Sequence, residues 1–199
     1  MNYIKLSIEE LRKVSRELAN EISKSYKPDL VIFVAKGAFL IGHEISNYFK
    51  VPLLAVFAER GGGRIKNFLS PLLRLLPKKI KLLLRRIELK SNIHINNPKR
   101  NIYIVSEYND FVNRRNILII DDSVDSGNTA KEVCNFVCSK FPNSNIKFAA
   151  LNYFDKSTHI FNVDYHFFKN TILMGPMSND SEEYSQFLKL YNLWIRETN

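Results

Sequence analysis

Ile117-Leu118-Ile119-Ile120-Asp121-Asp122-Ser123-Val124-Asp125-Ser126-Gly127-Asn128-Thr129 is the stretch on which the reading of this 199-residue chain turns. Four consecutive branched apolar residues read as a strand buried on both faces, the pattern of a parallel sheet. Two adjacent carboxylates stand at its carboxyl end. A short turn through Gly127 then leads into a helix predicted from Thr129 to Lys140. In open parallel sheets ligands bind outside the carboxyl ends of the strands, where this turn must lie. Gly127 lets the backbone approach a ligand closely, and Ser126 and Thr129 bring hydroxyl donors. The first-turn amides of the helix complete a cradle for a phosphate. Asp121 and Asp122 can accept hydrogen bonds from two vicinal hydroxyls, or hold Mg²⁺ through water. The stretch asks for a ligand with a phosphate at one end and a diol or metal at the other. The bland alternative is a strand-end turn whose acids cap the next helix.

The pattern extends in both directions. Ile8, Leu11, Val14, Leu18 and Ile22 recur at helical spacing, and the helix is predicted to end near Ser25. Pro28-Asp29 breaks it, and Leu30 to Ala35 reads as a second buried strand. Phe39 to Phe49 returns to helical spacing, and Val51 to Phe57 reads as a strand. Beyond an irregular region, Ile102 to Val105 and Ile146 to Phe154 are predicted strands, and Ile172 to Met174 is a short apolar run. An acidic-led helix is predicted from Asp180 or Ser181 to about Arg196. This alternation predicts an α/β fold with an open, mostly parallel central sheet flanked by helices.

Composition narrows the function classes. Hydrophobic content of 45% and charged content of 25% are ordinary for a globular domain. No run of about 18 uncharged apolar residues reads as a membrane span, and Met1 to Lys13 lacks the apolar core of a secretory signal. Cys134 and Cys138, four apart on a predicted helix, read as small helix-face residues rather than a disulfide or metal site. His43, His94, His159 and His166 show no metal-ligand spacing. The cytoplasm is the expected compartment.

The stretch from Ile117 to Thr129 closely resembles the signature with which type I phosphoribosyltransferases bind phosphoribosyl pyrophosphate (PRPP): apolar strand, two acids, two variable residues, then Asp-(Ser/Thr)-Gly-x-Thr. The resemblance implies that Asp121 and Asp122 hold the ribose hydroxyls and the Mg²⁺ environment. It implies that Asp125, Ser126, Gly127, Asn128 and Thr129 hold the 5-phosphate, with Asp125 also the base near the acceptor. A second match is Val34-Ala35-Lys36-Gly37-Ala38, similar to the family's Lys-Gly or Arg-Gly loop for pyrophosphate. Lys36 and Gly37 would bind that group, and Lys36 would offset charge on it as it leaves. The family often has a cis peptide in this loop, which would fall at Ala35-Lys36. The resemblance covers about Ile4 to Ala58 and Arg114 to Met174, and its order of elements is closest to the bacterial xanthine-guanine type. One domain over 1–199 is expected, with a small hood and with 60–100 as a basic insert and flexible lid within it. Glu59 to Asn109 is the candidate to exclude water.

Two departures bear on the acceptor. Purine-using relatives close over the base with an aromatic, often a Pro-Trp pair, where this chain has Pro176-Met177. They also read a purine oxygen with a lysine at a strand end that here runs Asn152-Tyr153-Phe154-Asp155, with Lys156 late. Phe154 or Tyr165 remains to stack on a base. The insert is the other departure. Arg64 to Lys90 carries nine Lys/Arg against the single acid Glu88, which accounts for nearly all of the chain's +9. In a helix from Lys78 onward, Ile80, Leu83, Leu84 and Ile87 share one face with basic flanks, as on a helix lying in an anionic membrane surface. A hood packed on the core, with solvated charges outside, is the alternative. Nucleic acid is not expected, because Phe68 is the insert's one aromatic.

These departures tilt the expectation toward a phosphoribosyltransferase with a non-purine acceptor, such as a sugar hydroxyl of a membrane-linked glycan. The insert at 64–90 would then give peripheral contact at the inner membrane face. Purine salvage is the alternative, a non-catalytic PRPP sensor the third reading, and a homodimer is admitted.

Overall fold

The computed structural model describes residues 2–60, 100–104, 111 and 113–198. In chain order its elements are β1 (Asn2–Lys5), α1 (Ile8–Ser23), β2 (Leu30–Ala35), α2 (Phe39–Phe49), β3 (Leu53–Arg60), β4 (Arg100–Ile104), β5 (Asn116–Val124), α3 (Asn128–Lys140), β6 (Asn145–Tyr153), β7 (Tyr165–Lys169), β8 (Thr171–Met174) and α4 (Tyr184–Thr198). The sheet has the order β4-β3-β2-β5-β6-β7, and β1 pairs with β8 in a separate parallel ribbon. The pairs β2–β3, β2–β5, β5–β6 and β6–β7 are all parallel. The fold is the α/β class that the alternation predicts.

Polar side chains fix the strand register at the amino-terminal end of the sheet. The Asp29 carboxylate accepts from the amides of Arg115 at 2.9 Å and Asn116 at 3.0 Å, tying the start of β2 to the start of β5. The Tyr26 hydroxyl shares its proton between the carbonyls of Ile117 at 3.1 Å and Asn145 at 2.7 Å. Asp164 accepts from the Phe148 amide at 2.8 Å as β7 begins beside β6. A one-residue slip would turn every strand residue to the wrong face, so these bonds also fix what points where.

Alternation along the strands divides the core in two. Val31, Phe33, Leu118, Ile120, Ala149 and Leu151 share a buried cluster with residues of α1, α2 and α4. Ile32, Ile117, Ile119 and Phe148 are equally buried and alternate with these. They face the other way, toward the side that α3 covers with Ala130, Val133 and Val137. Trp194 of α4 meets Phe33 edge-on at 5.1 Å, so the single tryptophan holds the last helix on the sheet. Burying one such aliphatic or aromatic side chain contributes about 1.5–3 kcal/mol.

Several boundaries differ from expectation. β5 does not stop at Ile120 but runs through Asp121 and Asp122 to Val124, because β6 continues to pair with it there. β1 and β7 were not expected. Among the described residues β1 is a short strand whose one partner is β8, at the far end of the chain. β7 has the mixed pattern of an edge strand, half-buried and exposed in turn. The last helix begins at Tyr184, so Glu182 and Glu183 precede it rather than lead it. The chain divides into two compact units, Met1–Phe57 with Ile102–Asn199, and Ala58–Asn101. The insert at 64–90, its amphipathic pattern and most of the expected lid lie outside the described residues. No helix among the described residues is long and apolar enough to cross a membrane.

Candidate active site

β2 and β5 lie side by side, yet the chain leaves them in opposite directions, from β2 outward to β3 and from β5 outward to β6. Such a reversal of strand order opens a crevice at the carboxyl ends of the two strands, the usual ligand position in doubly wound sheets. Phe33 pairs with Ile120, so the loop after β2 and the acids of β5 emerge together. Their contact is close. A Cβ added to Gly37 would stand 2.7 Å from Asp122 Oδ2 and 2.9 Å from its Cγ. The absence of a side chain at Gly37 is what lets the Asp122 carboxylate lie against the loop backbone. The Ala35–Lys36 peptide is cis, where the resemblance places it.

Asp121 is buried, and its Oδ1 accepts from the Asp122 amide at 2.9 Å. Burial, reinforced by the charge of Asp122, holds its carboxyl well above the ordinary aspartate range. Burial also raises Asp122, and the Asp125 charge adds to it. Two acids kept in that state gain from any ligand that brings hydroxyl protons or positive charge. Asp125 accepts from Ser123 Oγ at 2.9 Å. Ser123 Oγ in turn accepts from Asn152 Nδ2 at 3.3 Å, and the same amide donates to the Thr171 carbonyl at 2.8 Å. A polar chain thus runs from β8 through Asn152 on β6 to Asp125. Sequence reading passed over Asn152, whose only signal is a polar residue inside the apolar run from Phe148 to Phe154.

Gly127 is the N-cap of α3, left-handed at φ +82°, with no side chain capping the first turn. Its crowding explains the residue type as much as its φ does. A Cβ there would meet the Ser157 carbonyl at 3.1 Å and Phe161 at 3.2 Å. Asn128 donates to Ser126 Oγ at 3.3 Å within the same turn. Asp121 and Asp122 belong to β5, and neither caps α3. The helix-capping alternative therefore fails, and the first-turn amides remain available to an anion.

Lys36 is exposed, and its Nζ donates to the Tyr184 hydroxyl at 2.9 Å. Tyr184 was not among the expected site residues. Of the two aromatics expected to stack on a base, Phe154 is at the carboxyl edge but buried, its amide bonded to the Val124 carbonyl at 3.1 Å. Tyr165 is a correction. It opens β7 at the opposite edge of the sheet, where its hydroxyl meets Ser25 Oγ at 2.8 Å, and it cannot stack on a ligand at the strand ends. Met177 folds back on Gly175 and packs against the core. Burial pushes the Cys134 thiol up to about 12, so it is no nucleophile. Among the described residues no cluster of three or more His, Cys, Asp or Glu is placed to enclose a metal ion. Mg²⁺ does not require one, because it commonly binds through one or two carboxylates, waters and substrate oxygens. The donor set of Asp121 and Asp122 fits that mode.

No protein-family model and no curated protein matches the sequence. Solved structures do match the fold. A purine phosphoribosyltransferase from Pyrococcus horikoshii is 17% identical over 91% of this chain and 97% of its own, with a TM-score of 0.59. The xanthine-guanine-hypoxanthine phosphoribosyltransferase of Helicobacter pylori is 16% identical over 93% and 99%, with a TM-score of 0.64. A hypothetical protein from Neisseria gonorrhoeae with bound ppGpp is 14% identical over 96% and 97%, with a TM-score of 0.58. The fold of this chain is that of the type I phosphoribosyltransferases.

Proposed function

We propose that this chain is a Mg²⁺-dependent phosphoribosyltransferase that binds PRPP in the crevice between β2 and β5. The observation that carries the proposal is the contact of Gly37 with Asp122, which brings an anion-binding loop and a diol-binding acid pair together at the switch point of the sheet. Asp121 and Asp122 accept from the two ribose hydroxyls and supply the carboxylates for Mg²⁺. The loop from Asp125 to Thr129 holds the 5-phosphate with the first-turn amides of α3. Lys36 and the amides after Gly37 hold the pyrophosphate. Binding energy from the remote 5-phosphate orients the ribose. The bond from the anomeric carbon to the pyrophosphate oxygen then breaks, and its electron pair leaves with the pyrophosphate. Lys36 stabilises that growing negative charge. Mg²⁺ held by Asp121 and Asp122 would supply further charge stabilisation to the leaving group. The acceptor atom bonds to the anomeric carbon, and its proton passes to Asp125, which Ser123 orients.

The acceptor we propose is a purine base. The solved structures of this fold from Pyrococcus horikoshii and Helicobacter pylori are described as purine enzymes. The glycan reading rested on Met177 in place of a base-clamping aromatic and on residues 64–90; the insert and its membrane contact lie outside the described residues, and Met177 packs against the core without offering anything to a saccharide. The test supplies PRPP and Mg²⁺ with hypoxanthine, guanine, xanthine or adenine, and separately with lipid-linked saccharides, and follows pyrophosphate release. Release with a purine is the expected outcome. Release only with a saccharide moves the acceptor and leaves the PRPP chemistry standing. PRPP binding without release to any acceptor makes the protein a sensor, and no PRPP binding at all removes the proposal.

A further inference from the structure

We infer that Tyr184 is a positioning residue of this site, one that holds the Lys36 ammonium ready for the diphosphate end of its ligand. The inference takes its ligand class from the phosphoribosyl reading above; the contact itself is independent of that reading. Lys36 is exposed on the loop after β2, and a free lysine side chain loses up to about 2 kcal/mol of rotamer entropy when a ligand orders it. Here it is already ordered. Its Nζ donates to Tyr184 Oη at 2.9 Å, while the ring centroid is 5.3 Å from Nζ. Those two distances put the ammonium beyond the oxygen end of the ring rather than over its face, so the hydrogen bond is the contact.

The kind of acceptor distinguishes this lysine. Lys5, Lys24, Lys147 and Lys169 are paired with the carboxylates of Glu182, Glu21, Asp164 and Asp155. A carboxylate fixes an ammonium but also cancels its field. The Tyr184 phenol is neutral, so it fixes the ammonium, leaves its charge whole and occupies one of its three protons. That arrangement suits a group that waits for an anion. Tyr184 is itself held firmly. It opens α4, and its ring lies nearly parallel to that of fully buried Phe187, with centroids 6.4 Å apart. The preceding Glu183 accepts from the Ile8 amide at 2.6 Å. The phenol is thus referenced to the core, and rigid backing of this kind is what a positioning residue needs. Stability gives the contact little reason to exist, because an exposed hydrogen bond of this sort contributes at most about 1 kcal/mol.

The experiment is calorimetry on the full chain with PRPP and Mg²⁺, and separately with ribose 5-phosphate, which lacks the diphosphate. Tyr184→Phe keeps the ring and removes the acceptor. The expected result is about a three- to tenfold loss of PRPP affinity with ribose 5-phosphate binding unchanged. In a Lys36→Met background the same substitution should have no further effect. Equal losses for both ligands would mark a structural role and overturn the inference. So would unchanged or tighter PRPP binding by Tyr184→Phe when Lys36→Met weakens it. Inorganic pyrophosphate separates the two levels of argument. If the wild type ignores PRPP but binds pyrophosphate less well once Tyr184→Phe is made, the phosphoribosyl reading falls and the positioning role stands. If it ignores both, both fall.

Discussion

Gly37 and Asp122 depend on each other, and a single methyl group tests the dependence. In Gly37→Ala the new Cβ would start 2.7 Å from Asp122 Oδ2, well inside van der Waals contact, so the carboxylate or the loop must move. Because the acid is short and half-buried, we expect it to lose its ligand-facing position. PRPP affinity should fall at least tenfold, about 1.4 kcal/mol, by calorimetry. Gly42→Ala provides the contrast, because its Cβ would press on Phe33 in the core at 2.8 Å. It should destabilise the fold through overpacking by about 1–3 kcal/mol, read as a lower melting temperature, while sparing the site. The two glycines also show what a sequence reveals at this scale. Asp121 to Thr129 was legible because its acids, glycine and hydroxyls sit at fixed short spacings on one strand and turn. The contact of Gly37 with Asp122 was not, because it joins two distant segments. Tyr184 lies further out again, inside the last predicted helix, whose stated sequence signal was its acidic start and not a site residue.

Strands and helices buried on a continuous or periodic apolar face were predicted close to where they lie, as with β2 at Leu30–Ala35 and α2 at Phe39–Phe49. Those that depend on a partner were not. β1 exists because β8 pairs with it, and β5 passes through Asp121 and Asp122 because β6 still offers it carbonyls and amides there. Hydrogen bonding to a neighbour overrides the local preference of an acidic pair for a turn. Asn152 links these elements. It is 1% exposed, and it bonds to both backbone groups of Thr171 on β8 and to Ser123 on β5. Asn152→Ala leaves the buried Thr171 groups without partners, which costs about 1–3 kcal/mol for each group stranded. We expect a melting-temperature loss several times that of Ser123→Ala, together with easier hydrogen exchange at the β1–β8 ribbon. Equal losses in the two variants would show that Asn152 does not anchor β8.

At the scale of the whole molecule, the site is where the fold gives up stability. Asp121 is an acid inside the sheet, and its folded-state carboxyl titrates above that of an unfolded aspartate, near 3.9. A group raised in this way contributes its full stability below the unfolded value and loses it as pH rises through the folded value. At neutral pH, above the unfolded value, the buried acid is therefore a net cost to the ligand-free protein. Asn at position 121 keeps an Oδ1 acceptor for the Asp122 amide and removes the buried charge. Asp121→Asn should therefore melt higher than the wild type in metal-free buffer at pH 7, by about 1 kcal/mol or 2–4 °C. The difference should shrink as the pH is lowered, because protonation relieves the same cost in the wild type. Ligand reverses the ranking. At about 100 times its Kd, PRPP with Mg²⁺ should stabilise the wild type by about 2.7 kcal/mol, or roughly 5–10 °C. The variant, without the carboxylate proposed to take the ribose hydroxyls and the metal, should gain far less. Thermal melts of both proteins at pH 5, 6, 7 and 8, with and without ligand, read all of these differences in one series. A variant that melts below the wild type at every pH would show Asp121 to be structural, and an undiminished ligand shift in that variant would place the ribose elsewhere.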